Sequence, residues 1–318
     1  MPTLSVIVPF HNVQQYAEDA LRGLARNATP TTEFVLVDDC STDATGEIID
    51  RWLPALPGAT LIRHETNRGI ARSRNSGIDA AGGRYLTFLD GDDWYAPGYL
   101  AELVRAIEEY DCDFVRTDHV QSTGKKREIR RAPGPRGTVR DPRALIGPPA
   151  ATSMVDYPFV WAGIYRRHLF DDGRMRFAED LRTAEDRLWT WRLHLTAASC
   201  AVAGLLGVFY RRGVPTSLTR IPDARQLDFI AAHDRLLAEV AADPEADRFL
   251  PKAVRTYCAM IAFHLANQRR YEAPVAGELR KRAGEALRNM PQDLLDRTLA
   301  GMDPERAGVL RRARRARR

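Results

Sequence analysis

The 318-residue sequence predicts an α/β fold, with a mostly parallel central sheet flanked by helices and a C-terminal helical region. Three observations support this fold class. Short runs rich in β-branched residues alternate with helical patterns through the first 120 residues. These runs are almost continuously apolar, as expected for strands that are buried on both faces of a parallel sheet. From about residue 223 onward, the pattern is helical throughout.

Local sequence justifies each element of the first part. The predicted strands are the runs LSVIV, FVLVD, ATLIRH, YLTFL and DFVRTDH, which begin at residues 4, 34, 59, 85 and 113. The predicted helices between them cover residues 16–25, 41–52, 70–81 and 97–110. Asp43 and its two neighbours supply N-cap chemistry for the second helix, Gly82 closes the third, and Pro97 suits the start of the fourth.

The second half divides into an irregular part and a helical part. Residues 121–150 are rich in proline, glycine and basic side chains, which predicts a long mobile loop. An ordered segment, a helix and one buried strand follow, near residues 160–169, 185–195 and 201–210. We expect a domain boundary between 1–220 and 221–318. Five prolines are expected to break the helical part: Pro244, Pro251, Pro274, Pro291 and Pro304.

The composition excludes several classes of protein. The chain is 44% hydrophobic and 28% charged, as in globular proteins, and no apolar run approaches the length of a membrane span. The four cysteines form no CxxC pair, which argues against a zinc site or a disulfide framework. The net charge of +5 is unevenly placed: the last eight residues, RRARRARR, hold six arginines, and residues 121–150 hold eight basic and two acidic residues. Two basic segments on an acidic body indicate local roles rather than general nucleic-acid binding.

An acidic cluster, Asp90-Gly91-Asp92-Asp93, ends the fourth predicted strand. Ligands of parallel α/β sheets bind at the carboxyl ends of the strands. Three adjacent carboxylates repel one another, and such hard oxygen ligands suit Mg²⁺ or Mn²⁺ bound together with substrate phosphates. The alternative is an ordinary turn whose acids cap the next helix, because Asp-Gly is a common turn pair. The cluster alone does not decide between these interpretations.

Further blocks occur in order at strand ends or in the turns that follow. They are VIVPFHN (6–12), VDDCSTDAT (37–45), NRGIARSRNSG (67–77) and FLDGDD (88–93). In these blocks the sequence resembles the family 2 glycosyltransferases, inverting enzymes with the Rossmann-like, nucleotide-sugar-binding GT-A fold. The segment AEDRLW (184–189) is similar to the family's ED motif, and YRRGVPTSLT (210–219) is a weaker match. The resemblance covers about residues 3–220, although Cys40 stands where the family usually has glycine.

The resemblance implies that residues 1–220 form a GT-A domain that binds a nucleotide-sugar and catalyses its reaction. Asp39 is expected to accept a hydrogen bond from a uracil-type base, and Arg74 to pair with the nucleotide or its diphosphate. Arg212 and Ser217 are expected to close over the diphosphate, with Arg211 as an equal alternative to Arg212. The nucleotide-sugar-binding residues implied in this way are Pro9, Phe10, Asn12, Asp39, Asn67, Gly69, Arg74, Asp90, Gly91, Arg212 and Ser217.

The resemblance also implies a Mn²⁺ or Mg²⁺ cofactor at the acidic cluster. Asp92 is expected to ligate the metal, and Asp90 to reach the metal or its water shell and the ribose. Asp93 is the least certain member of the cluster, and capping of the helix at Pro97 is its alternative role.

Asp186 is the expected general base, because an inverting transfer needs one carboxylate that takes a proton from the acceptor hydroxyl. Glu185 is expected to orient the acceptor, and Trp161 to stack on an acceptor sugar. The alternatives are an exposed acidic pair on an ordinary helix, and a tryptophan of the core.

These features predict an inverting, metal-dependent glycosyltransferase of the hexosyl or N-acetylhexosaminyl type. We expect a UDP-sugar donor and, as acceptor, a hydroxyl of a cell-envelope glycan, a teichoic-acid-type polymer or a glycolipid. The alternatives are a nucleotidyltransferase and an inactive glycosyltransferase-like scaffold. A nucleotidyltransferase would normally have a glycine-rich phosphate loop after the first strand, where VPFHN stands, and intact acidic positions argue against a scaffold.

The expected location is the cytoplasm, at the inner face of the cell membrane. Each arginine of the basic tail would contribute about 1 kcal/mol near an anionic leaflet, which predicts peripheral membrane contact. Nucleic acid is not an expected partner, because the tail lacks interleaved aromatic residues. Pairing of two copies through the C-terminal helices remains open.

Overall fold

A computed structural model describes residues 1–214 and 221–316. The strands, in chain order, are β1 Leu4–Phe10, β2 Thr32–Asp38, β3 Ala59–Arg63, β4 Tyr85–Phe88, β5 Trp94–Tyr95, β6 Phe114–Thr117, β7 His119–Thr123, β8 Lys126–Arg130, β9 Gly163–Arg166, β10 Cys200–Ala203 and β11 Val208–Arg212. The helices are α1 Ala17–Ala25, α2 Thr45–Trp52, α3 Ile70–Ala80, α4 Tyr99–Tyr110, α5 Glu185–Thr196, α6 Asp228–Ala241, α7 Ala246–Ala266, α8 Ala273–Asn289, α9 Gln292–Ala300 and α10 Pro304–Arg315.

The central sheet confirms the predicted α/β fold. Within the described residues it has seven strands, in the order β10-β6-β9-β4-β1-β2-β3. β9 runs antiparallel to β4 and β6, and the other neighbouring pairs are parallel. All residues of β1 and β4 are buried, as their apolar runs predict. The carboxyl ends of β1, β2 and β4 therefore lie side by side at one edge of the sheet.

A smaller sheet lies beside the acidic turn. In the part of the chain that the structure describes, its order is β5-β11-β7-β8. The prediction of a single strand over 201–210 is wrong, because β10 belongs to the central sheet and β11 to the smaller one. The glycine-bounded segment 204–207 separates them, and Gly207 lies so close to the Tyr99 ring that a Cβ would come within 2.1 Å of it.

Residues 121–150 also differ from the predicted long loop. Their first part forms the β7–β8 hairpin, and residues 142–145 form a short 3₁₀-helix. The sequence KREIR of β8 did not predict a strand, because it is exposed along most of its length and lacks the apolar alternation of a half-buried strand. Later basic residues of this segment form ion pairs: Arg136 with Asp118 at 2.7 Å, and Arg143 with Glu245 at 2.6 Å.

The C-terminal part is helical as expected, but its prolines act differently from one another. Pro251 lies inside α7, so the prediction of a break there is wrong. The other four prolines stand at or next to the starts of α7, α8, α9 and α10, where a missing N–H costs little. None of the described helices is long and apolar enough to cross a bilayer.

The helical region packs directly on α5. One hydrophobic cluster combines Leu188 and Trp191 of α5 with Leu236 of α6 and Phe249 of α7. The buried Lys252 of α7 also contacts the segment before β9, because its Nζ donates to Asp156 Oδ2 at 2.6 Å. The division at residue 220 remains a prediction, and the hydrophobic cluster packs α5 against α6 and α7.

Candidate active site

The floor of the site is formed where β1 meets the acidic turn after β4. The backbone amide of Gly91 donates to the carbonyl of Pro9 at 3.1 Å. A Cβ at Gly91 would lie 2.6 Å from the ring of Phe10, which explains why only glycine fits this position. Pro9 and Phe10 are buried, so they support the turn from below.

Two loops on the donor side are joined by Asn12, which has a φ of 51°. Its Oδ1 accepts a hydrogen bond from the amide of Thr42 at 2.8 Å. The neighbouring His11 lies 2.8 Å from the carbonyl of Asp39 through Nδ1 and 2.9 Å from Asn67 Nδ2 through Nε2. The carbonyl requires Nδ1 to donate, so Nε2 accepts from Asn67. The sequence prediction missed His11, although it lies inside the first motif block.

Asp39 is buried, and its carboxylate organises the turn before α3. Oδ1 lies 2.6 Å from His64 Nδ1 and accepts from the amide of Arg68 at 2.8 Å. Oδ2 accepts from the amide of Gly69 at 2.7 Å. Since a carboxylate oxygen can accept two hydrogen bonds, Oδ2 keeps capacity for a ligand donor. His64, the last residue of a predicted strand, was not singled out from the sequence.

Two residues beside Asp39 have left-handed backbone conformations. Gly69 has a φ of 88°, and a Cβ there would lie 2.6 Å from Nη1 of Arg182. Cys40 has a φ of 57°, which accounts for the glycine that the family usually has at this position. Cys40 therefore adopts a backbone conformation that ordinarily favours glycine.

Arg74 connects the acidic turn to the ED motif. Its Nη2 donates to Asp90 Oδ1 and its Nη1 to Glu185 Oε1, both at 2.8 Å. The side chain is buried and lies over the ring of Phe177. Burial lowers the pKa of Arg74, but the charges of Asp90 and Glu185 outweigh burial and raise it. Arg74 therefore bridges two carboxylates, and its expected pairing with a nucleotide remains a prediction.

Glu185 and Asp186 form the first turn of α5. Burial raises the pKa of Glu185, the charge of Asp186 raises it further, and Arg74 opposes both. Burial also raises the pKa of Asp186, against the effects of Arg187 and Arg74. Glu185 is buried, whereas Asp186 is partly exposed. The pKa of Asp186 lies above that of an ordinary aspartate.

The acidic turn contains two carboxyl groups with raised pKa values. Burial, followed by the charge of Asp90, raises the pKa of Asp92 to about 6. Burial and the charges of Asp92 and Asp90 raise the pKa of Asp93 well above its usual range. Asp93 Oδ1 accepts from the amide of Arg211 at 2.6 Å. The capping role suggested for Asp93 is wrong, because α4 begins later, after Gly98, and Asp93 instead anchors β11.

Asp90 and Asp92 provide two carboxylates that could bind a divalent cation. Among the described residues, no group of three His, Cys, Asp or Glu side chains is placed to hold a metal ion. Two carboxylates are nevertheless sufficient for Mg²⁺ or Mn²⁺ when substrate phosphates supply further ligands. At Asp92, burial and the charge of Asp90 raise the pKa by more than the nearby charge of Arg211 lowers it, so a cation bound at this turn would favour the charged carboxylate.

The residues expected to close over the diphosphate have different positions. Arg212 is exposed at the end of β11, where its Nη1 donates to the Tyr210 hydroxyl at 3.0 Å. The alternative, Arg211, is engaged elsewhere: its Nε donates to the carbonyl of Asp92 at 2.9 Å, and its guanidinium lies over Trp94. Ser217 lies outside the described residues.

The predicted stacking of Trp161 on an acceptor sugar is wrong for this structure. Trp161 is only 3% exposed and packs among His119, Phe159 and Tyr210. The alternative interpretation, a tryptophan of the core, is the one that the structure supports. An isolated tryptophan carries no sequence signal that separates these two roles.

Comparison with known proteins agrees with this geometry. The family model described as glycosyl transferase family 2 matches residues 5–196. The uncharacterized glycosyltransferase EpsJ of Bacillus subtilis is 29% identical over 235 residues, which cover 72% of this chain and 66% of EpsJ. The poly(ribitol-phosphate) beta-N-acetylglucosaminyltransferase TarS of Staphylococcus aureus is 30% identical over 215 residues, which cover 66% of this chain and 35% of TarS. The matched region spans less than two thirds of the length of either of these curated relatives.

A solved structure of S. aureus TarS 1-349 in complex with UDP-GlcNAc has the same fold. Its TM-score is 0.77 at 22% identity, and the match covers 98% of this chain and 87% of that chain. At this identity, the likeness shows the GT-A architecture and no more. The family model covers more than half of the sequence, and it includes the acidic turn, Arg74 and Asp186. The chain therefore belongs to glycosyl transferase family 2.

Proposed function

We propose that this enzyme is an inverting, divalent-metal-dependent transferase that moves a sugar from a UDP-sugar to a hydroxyl of a cell-envelope acceptor. The observation that carries the proposal is the Arg74 bridge. It joins Asp90, on the expected donor side, to Glu185, whose neighbour Asp186 is the expected base. The donor proposal is supported by the UDP-GlcNAc named for the TarS complex, and the acceptor class by the polymer in the TarS name.

The proposed reaction divides the site into two functional sides. On the acceptor side, Asp186 accepts the proton of the acceptor hydroxyl as the oxygen attacks the anomeric carbon. On the donor side, Asp92 and Asp90 would hold a Mn²⁺ or Mg²⁺ ion, which neutralises charge on the diphosphate. Asp39 has acceptor capacity for the base, and Arg212 lies at the exposed end of β11, where it can pair with phosphate oxygens.

Two basic segments of the surface favour an anionic acceptor at an anionic membrane surface. The β7–β8 hairpin and the residues after it are basic, and β11, to which β7 pairs, is anchored on the acidic turn through Asp93. The exposed arginines of α10 add a second basic surface. We place the enzyme in the cytoplasm, in peripheral contact with the membrane where such acceptors are made.

A donor screen tests the proposed function. The enzyme is expected to release UDP slowly from one UDP-sugar in the presence of Mn²⁺ or Mg²⁺, and to lose this activity in EDTA. GDP- and dTDP-sugars are the control donors. A coupled assay measures the nucleoside diphosphate that each donor releases. Release of pyrophosphate from a nucleoside triphosphate and a sugar phosphate would indicate a nucleotidyltransferase, and no turnover of any donor would indicate a scaffold.

The pKa of Asp92 gives a second prediction, on pH. Because the folded protein raises this pKa from 3.8 to about 6, Asp92 holds a proton below about pH 6 in the absence of metal. Its contribution to the stability of the metal-free protein is therefore greatest below pH 4 and is lost as pH rises through 6. A divalent cation competes with that proton, so Mn²⁺ affinity measured by calorimetry with UDP present should fall about tenfold per pH unit below pH 6.

Asp92→Asn should remove both the pH dependence and most of the Mn²⁺ affinity. The control is Asp50→Asn, which alters an exposed ion pair with Arg63 on the surface. Mn²⁺ affinity that stays constant from pH 5 to pH 8 would contradict the assignment of Asp92 as a ligand.

A further inference from the structure

The segment Arg182–Ala184 leads directly into the ED motif and is held by the helical region. The backbone amide of Arg182 donates to Asp228 Oδ2 at 2.6 Å. The Thr183 hydroxyl donates to the carbonyl of Arg225, also at 2.6 Å. Both partners come from the start of the C-terminal region, more than 40 residues along the chain. The position of this segment is therefore set by contacts outside the central sheet.

Ala184, the residue before Glu185, has a φ of 63°, which places it in the left-handed region. This conformation costs a residue with a Cβ on the order of 1 kcal/mol, and it persists only where surrounding contacts enforce it. The side chain of Ala184 packs against two hydrophobic clusters that contain residues of the C-terminal helices. The turn that directs Asp186 into the site is therefore strained, and its restraint comes from those helices.

Asp228 is well placed to provide this restraint. It is the first residue of α6, a helix that packs on α5, and its carboxylate is partly buried. Burial raises the pKa of Asp228, while hydrogen bonds from the amides of Arg182 and Thr183 lower it. A partly buried carboxylate that accepts the amide of Arg182, next to the Thr183 hydroxyl bound by the carbonyl of Arg225, fixes the direction of the chain at that point.

The same segment also contacts the donor side. The guanidinium of Arg182 lies against Gly69, whose amide is bound by Asp39. Residue 182 is thus in contact with the helical region through its backbone and with the donor-side turn through its side chain. A displacement of this segment would change the position of Asp186 relative to the donor site.

We propose that Asp228 is a positioning residue for Asp186: it holds the backbone of Arg182–Ala184 and so directs the base from the helical region. The inference rests on the proposed function, because it assumes that Asp186 is the base. It assigns a role in catalysis to the helical region beyond that of an appendage.

The test compares Asp228→Ala with Asp228→Asn in the full-length enzyme, by UDP release from the active donor of the screen with Mn²⁺ present. Asp228→Ala should lower kcat by about tenfold or more, with the KM for donor within about twofold, because misplacement of a catalytic group affects the chemical step. Asp228→Asn keeps an acceptor oxygen and should recover most of kcat. Thr183→Val removes only the hydrogen bond from the Thr183 hydroxyl to the carbonyl of Arg225, and it should lower kcat by about fivefold.

The control is Asp303→Ala, which removes the N-cap of α10 and its hydrogen bond from the amide of Arg306. This variant should lose stability but keep kcat. A stably folded Asp228→Ala with unchanged kcat, or equal losses of kcat in Asp228→Ala and Asp303→Ala, overturns the inference alone. A wild-type enzyme that turns over no nucleotide-sugar, or an active Asp186→Asn, overturns the proposed function and the inference together.

Discussion

Replacement of Asp186 by asparagine is expected to lower kcat for sugar transfer about a thousandfold, as loss of a general base does. Asparagine keeps the size of the side chain but accepts no proton at neutral pH. Because the proposed role of Asp186 concerns the acceptor and not the donor, the affinity for UDP and Mn²⁺ should stay within about threefold of the wild-type value. Single-turnover kinetics and calorimetry with UDP separate the two quantities.

The pH dependence follows from the same group. Its pKa is raised, so the base is protonated at low pH and kcat falls on the acid side, with a midpoint above the usual range of an aspartate. Asp186→Asn should remove this acid limb from whatever activity remains. Asp180→Asn is the control, since this exposed carboxylate forms an ion pair with Arg235 at the surface. If Asp186→Asn retains wild-type turnover, another group must take the proton.

Replacement of Arg74 by methionine should give the largest loss of stability, about 3–5 kcal/mol at pH 8. Methionine keeps the apolar contact with Phe177 but leaves Asp90 and the buried Glu185 without their shared cation. Without this partner, burial and Asp186 raise the pKa of Glu185 further. Since the folded state then binds a proton more tightly than the unfolded state, the loss should be smaller at pH 5.5 than at pH 8.

Urea unfolding at both pH values measures this effect. Arg72→Met is the matched control: it lies two residues away on α3, and its ion pair with Glu179 is partly exposed to solvent. That substitution should cost less than about 1 kcal/mol at either pH. An Arg74→Met protein as stable as Arg72→Met at pH 8 would show that the buried bridge does not hold the two motifs together.

Much of the fold was predictable because its signals are local. β1 and β2 are recognisable as apolar runs that end at proline or acidic residues, and α3 as a helical pattern between a turn and Gly82. Such patterns depend on the periodicity of each element and on the burial of its own side chains. The strand KREIR could not be predicted in this way, because a hairpin strand exposed along most of its length has no apolar face.

The candidate site was predictable as a set of positions, and the contacts between them were not. Asp90, Asp92 and Asp186 were singled out because their motif blocks stand in order, with the acidic turn at the end of β4 and the ED pair at the start of α5. Sequence position also led to the assignment of Trp161 to the acceptor, and to helix capping as the alternative role of Asp93. Both assignments failed because burial and partners depend on segments far away in the chain: His119 and Tyr210 pack on Trp161, and Arg211 binds Asp93 across 118 residues.

By itself, the sequence determined the fold class, the family and the positions at which carboxylates meet the ends of strands. Only the tertiary structure decided that Arg74 joins two carboxylates from 16 and 111 residues away, and that Asp228 holds the turn before Asp186. The physical reason is that periodicity and capping act over a few residues, whereas pairing of buried charges depends on which elements pack together. The pKa values of Asp92 and Asp186 arise in the same way, from burial and charges that only the folded chain brings together.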